Sequence, residues 1–186
     1  MVKKIAQDYV NDLIRTLNRL PYENLERIVD ILVTVRDNRK KVIIFGNGGS
    51  ASTASHMACD FGKETARNGR ERLRAIDLHQ NVSLLTAAGN DLGYEEIFVE
   101  QLRLLLDPGD VLIALSTSGN SANLVRAIEF GKENGAFTIG LVGGDGGWIK
   151  DNVDEYLHVE NAAITQTEDI HVIINHIITR VLRDEV

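Results

Sequence analysis

A chain of 186 residues that is 44% hydrophobic can bury a sizeable core as one globular domain. Its 27 acidic against 20 basic residues give a formal charge of −7, which argues against a general nucleic-acid binder or a membrane-surface protein. No apolar run reaches the ~18 residues of a membrane span, the N-terminus lacks the apolar core of a signal peptide, and the single Cys59 forms no intrachain disulfide, so cytoplasmic residence is expected.

From Met1 to about Asn38 apolar residues recur at threes and fours: Ile5, Val10, Leu13, Ile14 and Leu17, then Leu25, Ile28, Val29, Ile31, Leu32 and Val35. With Pro21 between the two groups, they predict two amphipathic helices. Both precede the first strand and so cannot be crossovers between strands. Their stripes belong either to a subunit interface or against the chain's own sheet.

Val42-Ile43-Ile44-Phe45 is too short for a helix and β-branched enough to be a strand buried on both faces. Gly46, Gly48 and Gly49 then let the chain turn tightly, and Ser50 or Ser52 is placed to cap a helix carrying Ala51 to Phe61. A helix N-terminus with unpaired N–H groups favours a phosphate, to which the hydroxyls of Ser50, Ser52 and Thr53 add donors. One turn on, His56 and Asp60 stand at i and i+4 and share a helix face. The plainer reading is a tight turn followed by a solvated His/Asp pair. Cys59, in the apolar register of this helix, is expected to be a packed thiol.

Lys63 to Arg72 reads as a surface loop, Leu73 to Leu78 as a second strand and Gln80 to Ala88 as a helix. Gly89-Asn90-Asp91-Leu92-Gly93 reads as a turn whose Asn90 and Asp91 either cap a helix starting near Tyr94 or reach a ligand. Ile97 to Leu106 is helical and stops at Pro108-Gly109, and Val111 to Leu115 is a further buried strand. Ser116, Thr117, Ser118 and Ser121 then place four hydroxyls within six residues, between that strand and a helix from Leu124 to Asn134. This repeats the anion-binding logic of the first loop. Phe137 to Val142 is a fourth strand, Gly143 to Gly147 a flexible turn, and Tyr156 to Val159 a fifth strand at the sheet edge. Strands alternating with helices, with continuous rather than alternating apolar runs, indicate a parallel sheet covered on both faces that binds ligands beyond its carboxyl strand ends.

Thr165 to Val186 closes the chain as a helix with Ile170, Ile173, Ile174, Ile177, Ile178 and Val181 as its stripe. Glu168 and His176, eight residues apart, lie on one broad side of it. With His56 and Asp60 they make a two-imidazole, two-carboxylate set suited to zinc or a similar divalent cation. His171 is an alternative ligand, and a merely polar helix terminus is the plainer account.

GNGGS at 46–50, the H-x-x-x-D of His56 and Asp60, GND at 89–91, STSGNS at 116–121 and the E-x-I-H-type C-terminal helix together resemble the bacterial phosphoheptose isomerases of the sugar isomerase (SIS) domain superfamily. The resemblance covers essentially the whole chain. It implies a three-layer α/β sandwich with a five-stranded, flavodoxin-like parallel sheet: one SIS domain over 1–186, of which 1–38 is a helical oligomerisation segment. It further implies a homotetramer with shared active sites and one zinc ion per subunit. The implied reaction is aldose–ketose isomerisation of a phosphorylated sugar, sedoheptulose 7-phosphate to D-glycero-D-manno-heptose 7-phosphate, through an enediol, with no nucleic-acid or membrane partner.

Carried over by motif, substrate contacts fall on Asn47, Gly48, Gly49, Ser50, Asp60, Asn90, Asp91, Ser116, Thr117, Ser118, Ser121 and Glu168. Metal ligands fall on His56, Asp60, Glu168 and His176, and the catalytic groups are Asp60, Glu168 and His176. Asp60 stands where glutamate is usual and Glu168 where glutamine is usual, so the site gains a charge and either carboxylate can be the base. Other proteins of this fold are non-catalytic adaptors for a replication initiator or sensors of sugar phosphates. Acids at 60 and 168 beside two histidines favour an enzyme.

Overall fold

The computed structural model describes residues 1–66, 71–161 and 163–184. Helices α1 (Val2–Leu17) and α2 (Tyr22–Asp37) come first. Strands and helices then alternate: β1 (Lys41–Gly46), α3 (Gly49–Lys63), β2 (Arg74–Asp77), α4 (Val82–Asp91), α5 (Val99–Leu105), β3 (Val111–Ser116), α6 (Ala122–Glu133), β4 (Phe137–Val142), α7 (Gly147–Asn152), β5 (Glu155–His158) and α8 (Ile164–Asp184). All strand pairs are parallel, in the order β2-β1-β3-β4-β5, a flavodoxin-like order whose switch point lies between β1 and β3.

Side chains alternate across a strand, so one apolar run feeds two layers. Val42, Ile44, Val111, Ile113, Leu115, Ile139 and Leu141 meet α2, α3 and α8, while Ile43, Phe45, Leu112, Ala114 and Val142 meet α5, α6 and α7. Burying each such Val, Leu or Ile contributes roughly 1.5–3 kcal/mol, which is why the expected five-stranded three-layer sandwich forms around these runs. At the amino ends of the strands two aspartates close the backbone. Asp110 accepts from Lys41 N and Asp107 N, each at 2.8 Å, and pairs with Lys41 Nζ at 2.8 Å. Asp154 accepts from the N–H and hydroxyl of Thr138 at 2.8 and 2.7 Å.

The two N-terminal helices divide the alternatives between them. Leu25, Ile28, Val29, Leu32 and Val35 of α2 are buried in the chain's own core, against the sheet and α8. Helix α1 buries none of its residues: it rests on α8 through half-buried Leu13 and Leu17, and Val2, Ile5, Val10 and Ile14 remain exposed.

Four local expectations are corrected. Gly89-Asn90-Asp91 is the last turn of α4, not a turn cluster, because Asn81 caps the helix through Leu84 N (3.1 Å) and good helix formers carry it on. The chain turns instead at Gly93, whose φ of +111 leads into a single 3-10 turn at Tyr94–Glu96, and α5 starts only at Val99. The glycine run at 143–147 leads into α7, a six-residue helix too short to show periodicity, anchored by buried Ile149. Cys59 is exposed, since Met57, Ala58 and Phe61 take the inward face of α3. The loop expected over 63–72 lies partly outside the described residues, as do the last two residues of the expected final helix.

Candidate active site

β1 ends at Gly46 and α3 begins at Gly49, with Gly48 at the N-cap in a left-handed conformation (φ +56) that favours glycine. Neither Ser50 nor Ser52 caps the helix, because both already lie within its first turn. The helical ladder opens with Ala51 N and Ser52 N donating to Gly48 O at 3.1 and 3.3 Å. The N–H groups of Gly48, Gly49 and Ser50 precede it, the arrangement that receives anions. The Thr53 hydroxyl donates to Gly49 O (3.3 Å) and is thereby committed to its own helix.

Asn47 is held from two sides. Its Nδ2 donates to Asn123 Oδ1 (2.9 Å), and its Oδ1 accepts from Asn123 Nδ2 (2.8 Å) and the Tyr94 hydroxyl (3.1 Å). Asn123 is buried in the first turn of α6, so this reciprocal amide pair ties the first loop to the second at the switch point. Beneath the first loop, His79 Nε2 lies 2.8 Å from Gly46 O. Asp77, against which His79 is oriented, is pushed up by burial, but donors from Gln80, the His79 N–H and Ser55 outweigh this and hold it below the usual carboxylate range.

In the second loop Ser116 Oγ accepts from Gly119 N (3.0 Å), and Ser118 Oγ accepts from Asn120 N (3.3 Å). Both hydroxyls are acceptors here, so each keeps its proton for an incoming anion. Ser121 is the N-cap of α6 and makes no side-chain cap bond. Thr117 is half-buried between them. Asn90 and Asp91 bond to each other (Nδ2 to Oδ1, 2.6 Å) on the exposed end of α4 rather than capping the next turn.

Helices α3 and α8 pack side by side, and their contact brings His56, Asp60 and His176 together. His56 Nε2 and His176 Nε2 lie 3.3 and 3.7 Å from Asp60 Oδ2, and 3.5 Å from each other. Asn175, fully buried, donates from Nδ2 to the same Oδ2 at 2.7 Å. The imidazoles are about half exposed and Asp60 is 15% exposed, so the group opens to solvent with its carboxylate at the floor. All three ligand atoms fall within 4.8 Å of one another. This donor set fits a borderline divalent cation such as zinc, which in catalytic sites takes three protein ligands and keeps a fourth position open. Two neutral imidazoles can both present lone pairs to a cation, whereas between themselves one must act as donor.

Glu168 stands apart from this group. Its carboxylate lies against Gly49, where a Cβ would meet Oε1 at 2.4 Å, so glycine is what allows the approach. Gly49 and His56 are about 10 Å apart along α3 at 1.5 Å per residue, so the four expected metal ligands divide into a group of three and one carboxylate at the glycine loop. A carboxylate at a helix N-terminus is electrostatically favoured. His171, the alternative ligand, is also outside the group. It is fully buried, its ring nitrogens make no well-formed hydrogen bond, and desolvation, partly opposed by the Val142 backbone, pushes its pKa down to about 4. No local pattern in the sequence marks Asn123, Tyr94, His79 or Asn175 as a site residue, because each acts through a partner remote in the chain.

The family model for the SIS domain matches residues 7–143, which span both strand-end loops, and this defines the class of protein. A phosphoheptose isomerase from Nitratiruptor sp. is 43% identical over 152 residues, covering 80% of this chain and 79% of that protein. One from Helicobacter pylori is 39% identical over 180 residues, covering 96% and 92%. The structure of phosphoheptose isomerase GmhA from Neisseria gonorrhoeae aligns over the whole of both chains with a TM-score of 0.92 at 30% identity, so the shared fold includes α8. The chain belongs to the phosphoheptose isomerase family of SIS-domain proteins. Among the described residues no helix is long and apolar enough to cross a membrane.

Proposed function

We propose that this protein is a cytoplasmic aldose–ketose isomerase that interconverts sedoheptulose 7-phosphate and D-glycero-D-manno-heptose 7-phosphate through an enediol. Beyond family membership, one observation supports the reading: α3 and α8 bring Asp60 together with two imidazoles and set a second acid, Glu168, against the glycine loop. Ser116, Thr117, Ser118 and Ser121 with the α6 N-terminus hold the phosphate, using hydroxyl and N–H donors in a chain whose net charge is negative. Asn47, Gly48, Gly49 and Ser50 bind the sugar, together with Asn90 and Asp91.

Glu168 is the base. Asp60 Oδ2 is already engaged by Asn175 and flanked by both imidazoles, while the Glu168 carboxylate addresses the loop that receives the sugar. Glu168 removes a proton from C1 of the ketose. The C–H electron pair forms the C1=C2 double bond as O2 takes up a proton. C2 then regains a proton while O1 loses its own, leaving the aldehyde. His176, whose imidazole is about half exposed beside Asp60, exchanges protons with the sugar oxygens. Positioned acid–base groups of this kind accelerate proton transfer by about 10²–10⁴-fold. His56, Asp60 and His176 would hold one zinc ion per subunit, which when bound stabilises negative charge developing on oxygen as a Lewis acid.

Residues 1–38 of the single 1–186 domain serve assembly through α1, whose exposed Val2, Ile5, Val10 and Ile14 would be covered in a homotetramer. The test is incubation of purified protein with sedoheptulose 7-phosphate, with product detection before and after chelation, and light scattering on the same sample. Conversion that is lost on chelation and restored by zinc, from a tetramer, is expected. An active monomer would remove the assembly, and absence of turnover would remove the isomerase and leave the sugar-phosphate sensor.

A further inference from the structure

The inner face of α8 is apolar at Ile170, Ile174, Ile178 and Leu182, yet Asn175 lies fully buried beside them. A buried amide is destabilising unless its hydrogen bonds are made, and a leucine would fill the same space without that requirement. Asn175 makes two bonds. Nδ2 donates to Asp60 Oδ2 at 2.7 Å, and Oδ1 accepts from the Thr179 hydroxyl at 3.4 Å. The Asp60 carboxylate, which only accepts, fixes which end of the amide is nitrogen, and the Thr179 hydroxyl, one turn further along the helix, then donates to Oδ1.

We propose that Asn175 is a positioning residue: its buried amide locks the Asp60 carboxylate between His56 and His176 and thereby sets the affinity of this group for a divalent cation. The inference rests on the cation reading given above. Free of Asn175, the aspartate can turn its carboxylate toward solvent, which reaches the cluster past the half-exposed imidazoles. With the amide bond made, Oδ2 stays 3.3 and 3.7 Å from the two Nε2 atoms, where a shared ligand must be. Such donors behind a metal ligand change affinity by about 10–100-fold. The amide also restricts length, because one more methylene at position 60 would drive the carboxylate into it. Asp60 and Asn175 are therefore a matched pair.

The experiment measures zinc affinity by competition with a chromophoric chelator, with thermal melting of the same samples as the control for folding. Asn175→Leu should remain folded and bind zinc about 10–100-fold more weakly. Asp60→Glu should weaken zinc in the wild-type background and recover affinity in the Asn175→Ala background, where the longer acid has room; loss of packing alone would not produce that rescue. If Asn175→Leu does not fold, Asn175→Ala is read by the same criterion. A folded variant with zinc affinity within about 3-fold of wild type, while His56→Ala loses binding, overturns the role of Asn175 and leaves the cation reading standing. Wild-type protein that takes up no zinc, or His56→Ala that binds as well as wild type, overturns the cation reading and this inference with it.

Discussion

At the amino ends of the strands, polar side chains turn inward on the chain: Asp110 is bonded by Lys41 and the Asp107 N–H, and Asp154 by Thr138. At the carboxyl ends, Gly48 to Ser50 precede the helical ladder and the Ser116 and Ser118 hydroxyls keep their protons, while Glu168 rests against bare glycine backbone. Both ends are rich in polar groups. They differ in how far hydrogen-bonding capacity is met within the chain, which is why the proposed function assigns a structural role to one end and a chemical role to the other.

Exchanging acids for neutral groups at each end should sharpen that contrast. Glu168→Gln should lower kcat by about 10³-fold, some 4 kcal/mol, with unfolding free energy nearly unchanged. Steady-state kinetics beside denaturant unfolding would check it, and kcat within tenfold of wild type would transfer the base role to Asp60. Asp110→Ala should do the reverse. Lys41 Nζ keeps Asp107 at 2.6 Å, but the N–H groups of Lys41 and Asp107 lose their acceptor, a cost of about 1–3 kcal/mol each, read from denaturant midpoints, while kcat per folded molecule holds. A large kcat loss with intact stability in Asp110→Ala would break the comparison.

Helix α8 carries both kinds of residue, and His171 is its structural one. Burial lowers its pKa from 6.5 to about 4 in the folded state, so between those values the unfolded chain binds more protons than the folded one. Its contribution is therefore fully present above pH 6.5 and declines as pH falls toward 4, by up to about 3 kcal/mol at 1.36 kcal/mol per pKa unit. Unfolding of wild type and His171→Leu at pH 7 and pH 4.5 should show a smaller pH dependence in the variant. Equal dependence would mean that His171 titrates normally in the fold.

Much of this frame is legible in the sequence, because strand burial, glycine turns and helix spacing are local. Val42 to Phe45 and Phe137 to Val142 emerge as strands, both serine-bearing loops fall at carboxyl strand ends, and His56 with Asp60 share a face as i,i+4 spacing requires. What periodicity cannot carry is which surfaces meet. The same stripe pattern describes α1 and α2, yet α2 is buried in the chain's own core while α1 leaves Val2, Ile5, Val10 and Ile14 exposed. Asn175 and Asp60 are 115 positions apart, and Asn47 and Asn123 are 76 apart, so neither pair leaves a local mark. Glu168 and His176 do share one side of α8, but the rise of the helix sends one to the glycine loop and the other to the imidazole group.

The central claim is proton transfer at Glu168 in a ketose–aldose interconversion, and isotope incorporation tests it most directly. Wild type and Glu168→Gln are incubated with sedoheptulose 7-phosphate in D2O, and the aldose product is examined by NMR. Wild type is predicted to form D-glycero-D-manno-heptose 7-phosphate carrying solvent deuterium at C2, and Glu168→Gln to leave the substrate unconverted and unexchanged at C1. Wild type that forms no aldose, or Glu168→Gln that forms and labels it at the wild-type rate, would contradict the account.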